Sequence, residues 1–507
     1  MSHEHFVATL ALIGLVILVS SLLSGAVERS GLPQVAIFLL LGALLGPAGL
    51  GLIDLPLESD TLQVMAILAL VLVLFSDAIA VDGGEVRAHR LLTMLILGPG
   101  TILPAALIAL SAWILLGLPP AAAAILGASL ASTDPVLLRT LVRNPSLPQP
   151  ARLALRLESG MNDVILLPIV VLAMLALRTA GDPPPAEVAR LAMGLFLLGP
   201  LLGSAVGYVA ITLLDRVRSR AGVRRDYESL YALGVAFTAF AAAEAAGGSG
   251  FLAAFAAGLV IAALDVELCD CFLDYGEASA EMFLLLTFVA FGASIIWTGF
   301  EVADLPTLIF ALIALAIRTA VLLPVLSVAG LEPRSRKIIA WLGPRGLSAL
   351  LLALLPVFAG IDGSVRLFQI TCLVVLFSVL LHGGGIAVFL RRAGREQGRA
   401  PGGTVGPAPR SEKPEELSFG TVKASEPAPA SSIVARDEVP ERITLPELRR
   451  LWEQGEPVTV LDVRTERSYR DDPQIAKGAI RMPPDDAVRL ARERSLDHHG
   501  TLALYCT

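Results

Sequence analysis

Two short runs in this 507-residue sequence combine residue types that can hold a small cation. The first is Glu158-Ser159-Gly160-Met161-Asn162-Asp163, which carries two carboxylates, a hydroxyl and a carboxamide. At about 100° per residue, positions 158, 159, 162 and 163 fall on one helical arc of roughly 140°. Hard oxygen donors of this kind suit a small monovalent or divalent cation and not a soft transition metal. The second run is Thr133-Asp134-Pro135. Pro135 has no N–H, so the carbonyl of Ala131 loses its helical partner. The proline also drives Asp134 away from helical angles. A broken helix with freed carbonyls beside a carboxylate can take up a dehydrated cation. No cofactor is expected.

Arg318 and Arg345 are the basic counterparts, the latter inside Gly343-Pro344-Arg345-Gly346. Asp134, Glu158 and Asp163 against these two arginines leave one negative charge, if all five meet. One proton or one monovalent cation neutralises such a cluster. Competition between the two for one carboxylate is an exchange mechanism.

The elements around these residues are apolar. The chain is 55% hydrophobic and only 17% charged, against about a quarter charged in soluble chains. Its mean hydropathy is +0.72. A spanning helix needs about 20 apolar residues. Thirteen candidate spans lie near 6–25, 33–52, 61–80, 91–116, 120–141, 157–178, 189–214, 228–247, 250–264, 280–297, 304–330, 341–359 and 367–391. The first is read as a span and not a cleavable leader, since Met1-Ser-His-Glu-His5 lacks Lys and Arg. The net charge of −7 and the four cysteines speak against a nucleic-acid binder and a disulfide scaffold.

Alternate loops hold fifteen Lys and Arg against three, which places the N-terminus outside and the C-terminal tail in the cytoplasm. Only an odd number of spans fits. Thirteen divides as six, one and six, so the halves lie inverted, a common transporter plan with broken helices and a midplane site. The fifth span of each half carries a helix-breaking run beside an ionisable residue, Thr133-Asp134-Pro135 and Gly343-Pro344-Arg345-Gly346. The fold class expected is therefore an all-α polytopic membrane protein. Its roughly 13 transmembrane helices form two inverted six-helix repeats with broken crossing helices.

Charged residues inside a bilayer are functional candidates by default. Ser132-Thr133-Asp134-Pro135, the Glu158-to-Asp163 run, Ser249-Gly250-Phe251-Leu252-Ala253 and Gly343-Pro344-Arg345-Gly346 resemble, in order and spacing, the NhaP-type monovalent cation/proton antiporters. The resemblance covers about residues 6–391. It implies a homodimeric antiporter of the cell membrane and not an enzyme, exchanging a monovalent cation for H+, with Na+ favoured and Li+ or K+ as alternatives. It implies that Asp163 binds proton and cation in turn. Thr133, Asp134, Ser159 and Asn162 would complete the site. Glu158 would form a structural ion pair with an arginine, Arg345 in preference, leaving the partner of Arg318 undecided. The Asn162-Asp163 pair is what this branch shows for electroneutral exchange.

Blander readings apply elsewhere. Asp77 and Asp82 sit at the cytoplasmic end of the third span and read as interfacial. Glu244, near the outer end of the eighth, reads as surface. Cys269 and Cys271 are two ligands where a structural metal site needs four.

Beyond the membrane domain, 1–392, the segment 393–440 is rich in Pro, Gly, Ser and Ala and reads as a flexible linker. Residues 441–507 alternate strand and helix signals, an incomplete α/β segment. Thr444-Leu-Pro446-Glu447 fits a capping box. Strand signals follow at Val458–Val463, Gly478–Ile480 and Thr501–Cys506, with a short helix near 486–494. Leu461-Asp462-Val463-Arg464, Gly478-Ala479-Ile480 and Leu504-Tyr505-Cys506 resemble part of a rhodanese domain. Cys506 would stand at its nucleophile position, with Asp462 and Arg464 beside it. About 65 residues are few for that fold to bury its sheet, so sulfurtransferase activity is not expected. A membrane-anchored redox or sulfur sensor is the competing function. The carboxylates within the spans speak against it, since an inert anchor has no use for them. A channel ranks last, for want of a repeated filter segment.

Overall fold

The computed structural model describes residues 34–52, 56–81, 83–142, 147–179, 181–221, 225–264 and 277–386. In the C-terminal part it describes 458–464, 478–483 and 501–505, with isolated positions elsewhere. Its chain contacts divide it into Met1–Ala400 and Pro401–Thr507.

The first unit is helical. Its elements are α1 (Gln34–Leu45), α2 (Asp60–Ile79), α3 (Gly83–Ala88), α4 (Arg90–Leu97), α5 (Pro99–Leu116), α6 (Pro120–Ala131), α7 (Pro135–Val142), α8 (Gln149–Arg178) and α9 (Pro185–Met193). They continue with α10 (Gly199–Ala221), α11 (Arg225–Ala245), α12 (Gly250–Leu264), α13 (Glu277–Ala293), α14 (Leu305–Val328), α15 (Pro333–Trp341), α16 (Leu347–Phe358) and α17 (Ser364–Ser378). Starts are set by local chemistry. Ser59 accepts the Leu62 N–H at 3.3 Å ahead of α2, and Asp304 accepts the Thr307 N–H at 2.9 Å ahead of α14. Proline opens α5, α6, α7, α9 and α15, where its missing N–H costs nothing.

Twelve of the thirteen apolar runs fall on these helices, and the run 6–25 lies outside the described residues apart from Gly14 and Leu18. Among the described residues, six helices are long and apolar enough to cross a bilayer, or seven if the pair Leu285–Ala293 and Ile295–Val302, bent by 50°, is one span. The shorter ones are short because they are interrupted. α6 stops at Ala131 and α7 restarts at Pro135. α15 stops at Trp341 and α16 restarts at Leu347. α8 starts at Gln149, eight residues before the expected 157, so Glu158–Asp163 lies inside the helix and not at its head. Arg152 and Arg156 mask the extension from a hydropathy reading while Pro148 and Pro150 begin it.

The apolar core lies on both flanks of the interruptions. Phe38, Leu70, Phe288, Phe291, Leu350 and Phe368 join α1, α2, α13, α16 and α17. Ile125, Leu166, Leu167, Val170, Leu252 and Leu352 pack α6 and α8 against α12 and α16. Where α1 meets α13 the backbones nearly touch: a Cβ on Gly42 or Gly292 would collide with the facing helix. Small residues at such crossings are how helices pack without a hydrophobic gain over lipid.

The second unit contains a parallel three-stranded sheet of order β2-β1-β3, with β1 Val458–Asp462, β2 Ile480–Arg481 and β3 Thr501–Tyr505. Leu461 pairs with Ile480 on one side and Leu504 on the other. Asp462, buried at the end of β1, takes Arg464 Nε at 2.9 Å and Nη2 at 2.8 Å. This contact, chiefly its hydrogen bonds, holds the Asp462 carboxyl below the usual carboxylate range. Cys506, the capping box and most of the 486–494 segment lie outside the described residues.

Candidate functional site

The two interrupted helices cross at their breaks. Asp134 N–H donates to the Pro344 carbonyl at 2.9 Å. Asp134 Oδ2 accepts the N–H of Leu347, the first residue of α16, at 2.8 Å. A carboxylate there satisfies an orphan donor and faces the positive end of the helix. In return, Arg345 Nη1 donates to the carbonyls of Ala131 at 2.7 Å and Ser132 at 3.0 Å, the negative end of α6. Glycines let the strands approach. A Cβ on Gly346 would strike the Asp134 carboxylate, and one on Gly343 would strike the Arg318 guanidinium.

This geometry corrects two expectations. The Ala131 carbonyl freed by Pro135 is not open to a cation, because Arg345 occupies it. Glu158 pairs with Arg318 and not with Arg345, through Nε to Oε1 at 2.7 Å and Nη2 to Oε2 at 2.5 Å. The reason is placement: Arg345 lies in the break and is held by α6 carbonyls. Arg318 reaches from α14 and also caps the end of α15, donating to Ile339 O at 2.8 Å and Ala340 O at 2.7 Å. Breaking such a buried pair strands a charge.

The face of α8 meets the first break. Ser132, extended at φ −60° and ψ 138°, points its hydroxyl at α8 and donates to Asp163 Oδ1 at 2.5 Å. Ser348, buried near the start of α16, lies close to this carboxylate. Thr133 Oγ1 accepts from Asn162 Nδ2 at 2.8 Å. Asp163, Asn162, Thr133 and Asp134 are all at most 1% exposed. Two oxygens are left over: Asp163 Oδ2 and Asn162 Oδ1 are buried with no hydrogen-bond partner. Buried polar atoms are nearly always satisfied, so adjacent exceptions on one helix face call for an occupant. Ser159 lies on the same face, but its hydroxyl donates back to the Leu155 carbonyl at 2.9 Å.

Sequence reasoning passed over three residues here. Ser132 stood in the quoted run, but only the extended break reveals that it and Thr133 send their side chains to neighbouring positions of α8. Ser348 follows Arg345 by three residues and carries no sequence signal of its own. Asp77 read as interfacial, yet a Cβ on Gly160 would stand 3.7 Å from Asp77 Cγ. The carboxyl therefore lies against the α8 turn that leads to Asp163. Among the described residues no three of His, Cys, Asp and Glu converge into a metal-ion cluster. The donors at Asp163 are a carboxylate, a carboxamide and hydroxyls, which fit a weakly held alkali cation.

Fold and site together define a polytopic α-helical membrane protein built around two crossed, interrupted helices. Residues 14–392 match the family described as sodium/hydrogen exchanger, transmembrane, and the chain belongs to that family. It is 26% identical over 389 residues to the K(+)/H(+) antiporter NhaP of Alkalimonas amylolytica, a match covering 76% of this chain and 66% of that protein. It is 28% identical over 383 residues to the K(+)/H(+) antiporter NhaP2 of Shewanella sp. (strain ANA-3), covering 74% and 65%. The match thus spans slightly less than two thirds of the length of either relative. The fold is similar to that of the sodium proton antiporter MjNhaP1 from Methanocaldococcus jannaschii, with a TM-score of 0.60 at 20% identity. That likeness covers 76% of this chain and 99% of the other.

Proposed function

We propose that this protein exchanges a monovalent cation for a proton across the cell membrane by alternating access around Asp163. The observation that carries the reading is the pair of unpartnered buried oxygens, Asp163 Oδ2 and Asn162 Oδ1. A proton on Oδ2 removes the charge that attracts the cation. A cation at the two oxygens leaves no place for the proton. Asp163 and Asn162 form the core of the site, with Thr133, Asp134 and Ser159 around it. Asn162 stands where a second carboxylate would add a charge, so exchange is one for one and electroneutral. The Glu158–Arg318 pair and Arg345 act as scaffold.

The relatives are named for K+ and the structural neighbour for sodium, so the cation is K+ or Na+, with Li+ to be compared. We further propose thirteen spans, an outside N-terminus, a cytoplasmic tail and a homodimer. The C-terminal segment is read as part of a rhodanese-like domain, supported by its parallel strands and the Asp462–Arg464 contact. Sulfurtransferase activity is not part of this reading.

The test is proton flux in sealed liposomes holding a pH gradient, with K+, Na+ or Li+ added in turn. Collapse of the gradient by one cation, insensitive to imposed voltage and absent in Asp163→Asn, is expected. No collapse with any cation, in protein shown to be folded, would overturn the reading.

A further inference from the structure

Ser378 and His382 lie four residues apart at the end of α17, where the helix widens into a π turn over Val379–Gly383. Both are buried, His382 to 3% exposure. A hydroxyl and an imidazole deep in an apolar bundle need partners, and the exchange site does not use either. Ser378 Oγ accepts the backbone N–H of Arg345 at 2.6 Å. The same oxygen lies 3.0 Å from His382 Nδ1. A backbone amide only donates, so the Ser378 proton is free to point at Nδ1. In the neutral tautomer with its proton on Nε2, Nδ1 accepts the Ser378 hydrogen bond. The charged groups that act on the ring are Arg345 and Arg318, both cationic. Trp341, at the end of α15, packs on its side with ring centroids 5.7 Å apart. The imidazole is therefore held by a hydroxyl and an aromatic ring and is not half of an ion pair.

The chain of contacts runs on to the site. Ser378 holds the backbone of Arg345, and the Arg345 guanidinium holds the Ala131 and Ser132 carbonyls. Thr133 and Asp134 follow directly. We propose that His382 is a positioning residue for the cation site: it fixes Ser378, which fixes Arg345, which fixes the end of α6. π turns inside helices occur often at functional positions, and this one sets His382 against both Ser378 and Trp341. The inference rests on the reading that Thr133, Asp134 and Asp163 bind the transported cation.

The experiment is a double-mutant cycle in liposomes, reading the apparent KM and the maximal rate for whichever of K+ or Na+ drives flux in wild type. His382→Leu removes the acceptor and Ser378→Ala the middle link. Each is expected to raise the apparent KM by about three- to tenfold, the range spanned by one neutral hydrogen bond. The double variant is expected to be no worse than the more impaired single, since both break one chain. His382→Gln, which keeps an acceptor, is expected to recover most of the affinity. A loss confined to maximal rate, or effects on KM that multiply, would overturn the proposal. Absence of cation-driven flux in wild type would instead sink the antiport reading. Should His382→Leu not fold, nitrogen-15 NMR of histidine-labelled wild-type protein decides, with His382 assigned by its loss in His382→Gln. An unprotonated Nδ1 with a protonated Nε2 is expected, and a proton on Nδ1 would refute the chain.

Discussion

The two helix breaks differ in what they offer the bundle. The break between α6 and α7 is three residues long and presents hydroxyls and a carboxylate: Ser132 to Asp163, Thr133 to Asn162, Asp134 to the start of α16. The break between α15 and α16 is longer, glycine-bounded, and presents a guanidinium and a backbone carbonyl. Each neutralises a helix end of the other. Only the first hydrogen-bonds to Asp163 and Asn162, the two α8 side chains whose other oxygens are left unpartnered. The first break is therefore a ligand-bearing surface and the second its counter-frame. Opposite helix dipoles can be compensated in trans, which leaves one break free to specialise.

The largest expected effect is on the ligand side. Asp163→Asn should abolish cation-driven proton flux, to below about one hundredth of wild type, while the protein still folds, since the amide keeps the shape and can still accept from Ser132. Residual coupled flux would move the exchange site elsewhere. Next come the counter-frame arginines, which should separate. Arg318→Ala strands the Glu158 charge and should cost about 3–5 kcal/mol of stability, the usual penalty for a broken buried pair. Arg345→Ala strands no carboxylate, so its thermal shift should be the smaller and its loss of flux the clearer. Melting curves in detergent decide. Equal shifts, or rescue of Arg345→Ala by Glu158→Gln, would restore the pairing that the structure corrects.

Gly346→Ala tests the closeness of the breaks. Its Cβ enters the space of the Asp134 carboxylate, so a loss of about 1–3 kcal/mol, as for overpacking, is expected together with reduced flux. Wild-type behaviour would mean that the crossing is looser than described. Asp77→Asn should act more mildly, raising the apparent cation KM a few-fold at unchanged maximal rate. The smallest effect concerns the tail. Asp462 sits below the ordinary carboxylate range because Arg464 holds its charged form. Its contribution is therefore present above the unfolded value, about 3.9, and is lost as pH falls through the lower folded value. Limited proteolysis of the full chain should show the strands Val458–Asp462 and Thr501–Tyr505 becoming more cleavable in that acid window, and more cleavable already at neutral pH in Asp462→Asn.

Much of this was legible from residue types. Apolar length located twelve runs that the structure makes helical. Pro135 and the Gly-Pro-Arg-Gly run located both breaks, because backbone chemistry is local. The one-face grouping of Glu158, Ser159, Asn162 and Asp163 follows from helical period alone. Partner choice was not legible. Glu158 had two arginines within the spans to choose from, and nothing in spacing ranks Arg318, 160 residues away, over Arg345. The start of α8 was hidden because Arg152 and Arg156 lower local hydropathy without breaking a helix. Ser132, Ser348 and Asp77 acquire a role only from tertiary approach, which no window along the chain contains.

The crossing also sets a timetable for making the protein. The amide that satisfies Asp134 belongs to Leu347, 213 residues later in the chain, and the guanidinium that neutralises Glu158 comes 160 residues after it. At roughly 5–20 residues per second of synthesis, the nascent first half waits on the order of ten to forty seconds with its carboxylates unmatched. During that interval the early helices need either water or an insertion partner around those groups. A ribosome that stalls before Arg318 leaves a product in which the Glu158 charge has no guanidinium to meet, and quality-control proteases should clear it. Final assembly of the bundle is thus gated by the arrival of its last helices.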